Sequence, residues 1–74
     1  MLLVYPNPVK DILNINAESL SGDLNVKVYN TAGSLVMSKN ISDNKVDCSV
    51  LPQGVYVITV TKEGATKHSM FIKE

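Results

Sequence analysis

The sequence contains few of the residues that most catalytic and binding chemistry requires. Its 74 residues include one cysteine, Cys48, one histidine, His68, and neither tryptophan nor arginine. A single cysteine cannot form a disulfide within the chain, so a disulfide-stapled scaffold is excluded. Without arginine the chain has no planar guanidinium to read phosphates or base edges. Seven lysines balance seven aspartates and glutamates, so a basic face for nucleic acid is not expected.

Long apolar runs are also missing. No segment approaches the ~20 apolar residues of a membrane-spanning helix. The run Leu2–Tyr5 is too short for the core of a signal peptide, has no basic region before it and is broken by Pro6. The length allows one small domain, whose stability of about 3–5 kcal/mol leaves little for a strained catalytic cleft. A large enzyme is therefore excluded.

What the sequence does contain is a regular series of short segments rich in valine, isoleucine and threonine. Turn-forming residues separate these segments at roughly ten-residue intervals, which is typical of short strands joined by tight turns. No stretch carries a helical stripe. We predict strands near residues 2–5, 11–17, 23–30, 34–40, 45–50, 55–61 and 66–73. The domain is expected to be all-β.

Alternation of apolar and polar residues predicts which side chains are buried. The inward sets are Leu13, Ile15 and Ala17; Leu24, Val26 and Val28; Val46, Cys48 and Val50; and Tyr56, Ile58 and Val60. The run from residue 55 to 60 is apolar on both sides, which is typical of a central strand. Half-buried strands of this kind stack as two antiparallel sheets, so we predict a small immunoglobulin-like β-sandwich of about seven strands. A partly open barrel is the alternative.

Catalytic and metal sites are poorly supported. Cys48 and His68 could in principle form a nucleophile pair, but Cys48 lies on an apolar face, where cysteine usually behaves as an inert small hydrophobe. One cysteine and one histidine cannot close a zinc site. Asp43, Asn44 and Asp47 could offer oxygens to calcium, but their spacing matches no EF-hand loop and favours a turn capped by Asp43 or Asn44. We predict no catalytic residue, no metal and no cofactor.

Two proline-containing motifs have structural explanations. In Pro6-Asn7-Pro8 each proline fixes its own φ angle and holds the preceding residue extended. This stiffens an edge strand against pairing with other chains. In the segment 51–56, Pro52 presets a turn, Gly54 allows positive φ, and the buried hydroxyl of Tyr56 needs a hydrogen-bond partner.

Several segments, taken together, resemble one family. They are Val4–Pro8 followed by Asp11–Ile15; Val26–Asn30 followed by Gly33 and Leu35-Val36; Asp47–Val60; and Phe71–Lys73 at the end. Their order and spacing are similar to those of the type A C-terminal sorting domain of the type IX secretion system. Two positions depart from the family pattern. Met70 stands where the family often has a second basic residue, and Cys48 occupies a usually aliphatic position.

The resemblance implies that residues 1–74 form a single sorting domain, with a cargo protein upstream of Met1. It implies that the cargo crosses the inner membrane by an ordinary signal peptide and reaches the periplasm. The outer-membrane translocon then recognises the folded domain, and a sortase typically removes it. The cargo reaches the cell surface or the medium. The domain itself is expected not to be an enzyme and to have the translocon and the sortase as partners. Edge strands could also pair two copies.

The resemblance also assigns the motif residues. Those expected to be structural are Pro6, Asn7, Pro8, Gly33, Gly54 and Tyr56. We hypothesise that residues 67–73 form an edge that docks on the translocon, since strand edges offer unpaired backbone groups. Its recognition residues would be Lys67, Phe71, Ile72 and Lys73. Lys67, Ser69 and Lys73 are expected to be weakly buried.

A passive ligand-binding or adhesion module is the alternative function. Glycan binding on a β-sandwich requires exposed aromatic rings, and only four aromatic residues are present. Tyr56 is expected to be buried, and Tyr5 lies beside the proline turn. Tyr29 and Phe71 are then the aromatic residues left for such a surface.

Overall fold

The computed structural model describes residues 2–17 and 22–74. These residues contain seven strands: β1 (Leu2–Tyr5), β2 (Ile12–Ala17), β3 (Leu24–Tyr29), β4 (Leu35–Ile41), β5 (Lys45–Asp47), β6 (Gly54–Lys62) and β7 (Ala65–Lys73). Each predicted strand is confirmed to within one residue at both ends, except that β5 ends three residues early. Within the described ranges, no helix has the length and apolar character needed to cross a bilayer.

The strands form two antiparallel sheets. One has three strands in the order β1-β2-β5, and the other has four in the order β4-β3-β6-β7. The predicted sandwich is thereby confirmed over the described residues. β6 lies between β3 and β7, as expected from a run that is apolar on both sides. The valine, isoleucine and threonine content of these strands suits a pleated, half-buried surface.

The core lies between the sheets and contains most of the predicted inward residues. Both sheets contribute fully buried side chains, including Leu13, Val26, Ile58 and Phe71. Every residue predicted to face inward on β2, β3 and β6 is buried. The alternation of apolar and polar residues therefore predicts burial correctly in these longer strands.

Val50 is the exception, since the prediction that it faces the core is wrong. Its side chain is 80% exposed. β5 ends at Asp47 because a turn begins there. The Asp47 carboxylate accepts a hydrogen bond from the Ser49 N–H at 2.9 Å, and the Leu51 N–H donates to the Cys48 carbonyl at 3.0 Å. This turn breaks the two-residue period. Leu51 enters the core in place of Val50.

Candidate recognition edge

β7 lies at one edge of the four-stranded sheet, and its backbone alternates between paired and outward-facing groups. The backbone N–H and C=O of Ile72 point away from β6. The N–H donates to the Asn7 side-chain oxygen at 2.9 Å, and the carbonyl accepts from the Val9 N–H at 2.8 Å. In an antiparallel ladder, the backbone groups of successive residues point alternately toward the neighbouring strand and away from it. The β6–β7 register is unbroken, so this alternation continues along β7. Thr66, His68 and Met70 therefore also direct their backbone N–H and C=O groups outward.

The segment Asn7–Val9, which we call the clasp, closes the C-terminal part of this edge. Val9 forms a parallel bridge to Lys73, and its carbonyl accepts from the Glu74 N–H at 2.8 Å. The Val9 side chain is fully buried, which anchors the clasp in the core. The Pro6-Asn7-Pro8 motif thus meets the end of β7, where Asn7 binds the backbone N–H of Ile72.

The remaining part of the edge is open over Thr66, His68 and Met70, and we call these residues the open edge. No backbone hydrogen bond joins them to any described residue outside the β6–β7 ladder. They are exposed at the surface, Met70 to 60%. The predicted docking strand is therefore an edge strand, but its accessible backbone lies before its last residues.

Two of the predicted recognition residues point into the protein. Phe71 is 1% exposed and stacks on Tyr56, with ring centroids 5.5 Å apart. Lys73 is 7% exposed, and its ammonium group donates to the Glu74 carbonyl at 3.0 Å. The expectations that Phe71 is available as an aromatic platform and that Lys73 is weakly buried are both wrong. Each residue pairs with an inward position of β6, which fixes its direction.

The other two predicted recognition residues remain accessible. Ile72 is 47% exposed on the outer face of the sheet, and Lys67 is partly buried on the inner side. The side chains of Phe71 and Lys73 are therefore buried, whereas Ile72 and part of Lys67 are exposed to solvent.

The Tyr56 motif supports this strand from the adjoining one. The Tyr56 hydroxyl donates to the Pro52 carbonyl at 2.6 Å, which supplies the partner that a buried phenol needs. Gly54 begins β6 and pairs with Lys73. The motif thus connects the turn before β6 to the ring that packs under β7.

Gly33 serves a separate turn between β3 and β4. Its φ angle of 85° is left-handed, a conformation that glycine adopts without steric cost. The Asn30 side-chain oxygen accepts from the N–H groups of Ala32 and Ser34, both at 3.0 Å. Gly33 thus lies in the turn that joins β3 to β4, on the edge of the sheet opposite β7.

The outer face of the four-stranded sheet is divided into a polar and an apolar end. Cross-strand register places Leu35, Tyr29, Val57 and Met70 in one row, with Val55 and Ile72 beside it; we call these six residues the apolar end. Leu35, Val55, Met70 and Ile72 are each more than a third exposed. A shallow depression of about 270 Å³ lies beside Asn7, Val55, Met70, Phe71 and Ile72. The apolar end thus adjoins both the clasp and the open edge.

Sequence reasoning missed the apolar end. The two-sided apolar run in β6 correctly predicts a central strand with Tyr56, Ile58 and Val60 facing inward, but it makes no prediction for the outer face of the sheet. The signal lay in the register, because Val55 and Val57 oppose Ile72 and Met70 on the outer face. The opposite end of the face is polar, where Asn25 donates to Asn40 at 3.0 Å and the hydroxyls of Thr61 and Thr66 lie 2.9 Å apart.

The cysteine, the histidine and the acidic turn residues have structural surroundings. Cys48 is fully buried, and burial raises the pKa of its thiol, so it behaves as a core residue. His68 is exposed on β7, in the other sheet. Asp43 caps its turn by accepting from the Lys45 N–H at 3.2 Å, as predicted, and hydrogen bonds from Ser49 lower the pKa of Asp47. Among the described residues, no three histidine, cysteine or acidic side chains are grouped to hold a metal ion.

Comparison with known proteins gives a consistent family. Residues 3–74 match the family model described as the secretion system C-terminal sorting domain. The chain is 41% identical over 61 residues to Beta-agarase D of Zobellia galactanivorans, a match that covers 82% of this chain and 12% of that protein. The fold is similar to part of PorZ, an essential surface component of the type IX secretion system of Porphyromonas gingivalis, with a TM-score of 0.74. That likeness, at 23% identity, covers 99% of this chain and 11% of PorZ.

Proposed function

The chain belongs to the family of type IX secretion system C-terminal sorting domains, and from that premise we propose that it acts as a folded address. A cargo protein joined ahead of it reaches the periplasm, and the outer-membrane translocon recognises the sorting domain after it has folded. The cargo then passes to the cell surface or the medium, and a sortase removes the domain. The chain spans only about an eighth of the agarase relative that it matches (12%), which supports a role as one module of a larger protein.

The observation that carries this proposal is the family match over residues 3–74, which reaches the end of β7. β7 is the element best suited to bind the translocon, because it is an edge strand with exposed residues beside the apolar end. Within it, Ile72 and Lys67 present their side chains to a partner. Phe71 and Lys73 hold the strand in the orientation that makes this presentation possible.

Recognition of a folded domain, rather than catalysis, fits the rest of the surface. The two groups with nucleophilic potential are on different elements. Cys48 is buried directly after β5 of the three-stranded sheet, and His68 is exposed on β7 of the four-stranded sheet. The alternative of a glycan-binding module has lost Phe71 as a stacking platform, since that ring is in the core. Tyr29 is itself half-buried.

Export of a reporter tests the proposal. A periplasmic reporter with its own signal peptide is fused to residues 1–74 and expressed in a type IX-competent cell, beside the reporter alone. We expect the fusion at the surface or in the medium, and only when the translocon is intact. Retention of the fusion in the periplasm, or equal export in a cell without the translocon, would contradict the proposed function.

A matched pair of variants tests the role of β7. Ile72 and Leu3 are both apolar and about half exposed, but Ile72 lies on β7 and Leu3 on β1 of the three-stranded sheet. Ile72→Asp should reduce export of the fusion, because a charge replaces an apolar contact, whereas Leu3→Asp should leave export unchanged. Equal export of the two variants would assign recognition to another surface.

A further inference from the structure

The clasp limits how a partner can pair with β7. Ile72 has both backbone groups engaged by Asn7 and Val9, and the Glu74 N–H is also bound to Val9. An incoming strand therefore has no backbone partner at the last residues of β7. Over the open edge, by contrast, Thr66, His68 and Met70 direct N–H and C=O groups outward with the spacing of a sheet ladder.

Charge and shape specify what could pair there. Lys67 lies on the inner side of β7, in the same cross-strand row as Lys39, Val26 and Val60. An inward lysine at a sheet edge discourages pairing with an arbitrary strand, because its charge must then be desolvated. A strand that brings a carboxylate opposite Lys67 removes this obstacle. β7 itself contains no acidic residue, and on its outer side Met70 borders the apolar depression.

We infer that the translocon contributes an extended strand that pairs with Thr66–Met70, with an acidic residue facing Lys67 and an apolar residue over Met70. This inference rests on the proposed function and names the chemistry of its partner. It excludes the extreme C-terminal residues from the ladder, since the clasp holds them.

A second copy of the chain is a poor occupant of this edge. Both edge strands of the four-stranded sheet carry an inward lysine, Lys67 on β7 and Lys39 on β4, and neither strand contains an acidic residue. Pairing two such edges would bring lysines together without a carboxylate, and like charges placed opposite each other are destabilising. The edge therefore favours a foreign acidic strand over self-association.

Two matched pairs of variants test the inference in the reporter fusion. His68 and Ser38 end the same row on opposite edges, and both direct their N–H outward. Proline at such a position removes one outward donor and is tolerated on edge strands. We expect His68→Pro to reduce export by about tenfold and Ser38→Pro to leave it unchanged. Lys67→Glu should likewise reduce export, whereas Lys39→Glu should not.

The outcomes separate this inference from the proposed function. Thermal unfolding of each purified variant confirms that it folds. If His68→Pro does not fold, the pair Lys67→Glu and Lys39→Glu still tests the inference. If the unaltered fusion is exported and both variants of each pair behave alike, the inference is overturned while the proposed function stands. If the unaltered fusion stays in the periplasm, the proposed function itself fails.

Sedimentation of the purified domain tests the other occupant. We expect a monomer, because neither edge of the four-stranded sheet complements the other in charge. A dimer that His68→Pro dissociates would assign the open edge to a second copy and overturn the inference.

Discussion

Tyr56 and Phe71 face each other across β6 and β7, and their contact determines which side of β7 faces the core. Phe71 and Ile72 are adjacent and both apolar, so the sequence of β7 does not reveal which of them is buried. The register with β6 decides it. A single residue can thus carry a clear family motif and still have its orientation set by a partner strand.

The Tyr56 hydroxyl gives a residue-scale prediction. Tyr56→Phe removes the hydrogen bond to the Pro52 carbonyl, which is a short bond from a buried ring. The free energy of unfolding should fall by about 1 kcal/mol, measured by urea denaturation. Tyr5→Phe, at a tyrosine that is 48% exposed, is the control and should change the free energy by less than about 0.5 kcal/mol. Equal losses of unfolding free energy in the two variants would show that the Tyr56 hydrogen bond does not stabilise the fold.

Two valines give a second prediction at the same scale. Val9 is fully buried beneath the clasp, whereas Val50 is 80% exposed at its turn. Val9→Ala should lower the free energy of unfolding by about 2 kcal/mol, through lost burial and the cavity left behind. Val50→Ala should be nearly neutral. A large loss from Val50→Ala would restore the original prediction that it faces the core.

At the scale of elements, regular alternation carried the prediction of β2, β3 and β6, whose inward residues are all buried. The predicted β5 was three residues too long at its end. The hydrogen bond from the Ser49 N–H to the Asp47 side chain ends the strand, and apolar–polar alternation contains no information about such a bond. The clasp was out of reach for a different reason. Asn7 meets Ile72 at a separation of 65 residues, and no local pattern in either segment indicates the other.

Amide hydrogen exchange tests the division of β7 into paired, clasped and open parts. Odd-numbered residues from 65 to 73 bond β6 and should exchange slowly. The open edge at Thr66, His68 and Met70 should exchange at least about tenfold faster, because its N–H groups face water. Ile72 should be slow despite its even position, since Asn7 holds its N–H. Slow exchange throughout the open edge would mean that another segment covers it.

Asn7→Ala sharpens the same measurement. It removes the acceptor of the Ile72 N–H and should speed exchange at Ile72, while residues 67 and 69 remain slow. Unchanged protection at Ile72 would show that the Val9 bridge alone closes this part of the edge.

At the scale of the whole molecule, two thin sheets enclose one core, and the features that a partner could read lie at one corner. The clasp, the open edge and the apolar end meet there, and they derive from segments near both ends of the described chain. Only the folded domain brings them together. The proposed address is therefore a property of the tertiary structure, and we expect it to be lost when the core is lost, even if the sequence of β7 is unchanged.

Export of a core variant is therefore the most direct test. Val26 is fully buried and its neighbour Lys27 is exposed, and both lie on β3, away from β7 in sequence. Val26→Asp buries a charge at a cost that exceeds the ~3–5 kcal/mol stability of a domain this small, whereas Lys27→Asp leaves the core intact. We predict that the reporter fusion with Lys27→Asp is exported and that the fusion with Val26→Asp is not. Export of both at the same level would show that the chain is read as a linear signal and would contradict the account.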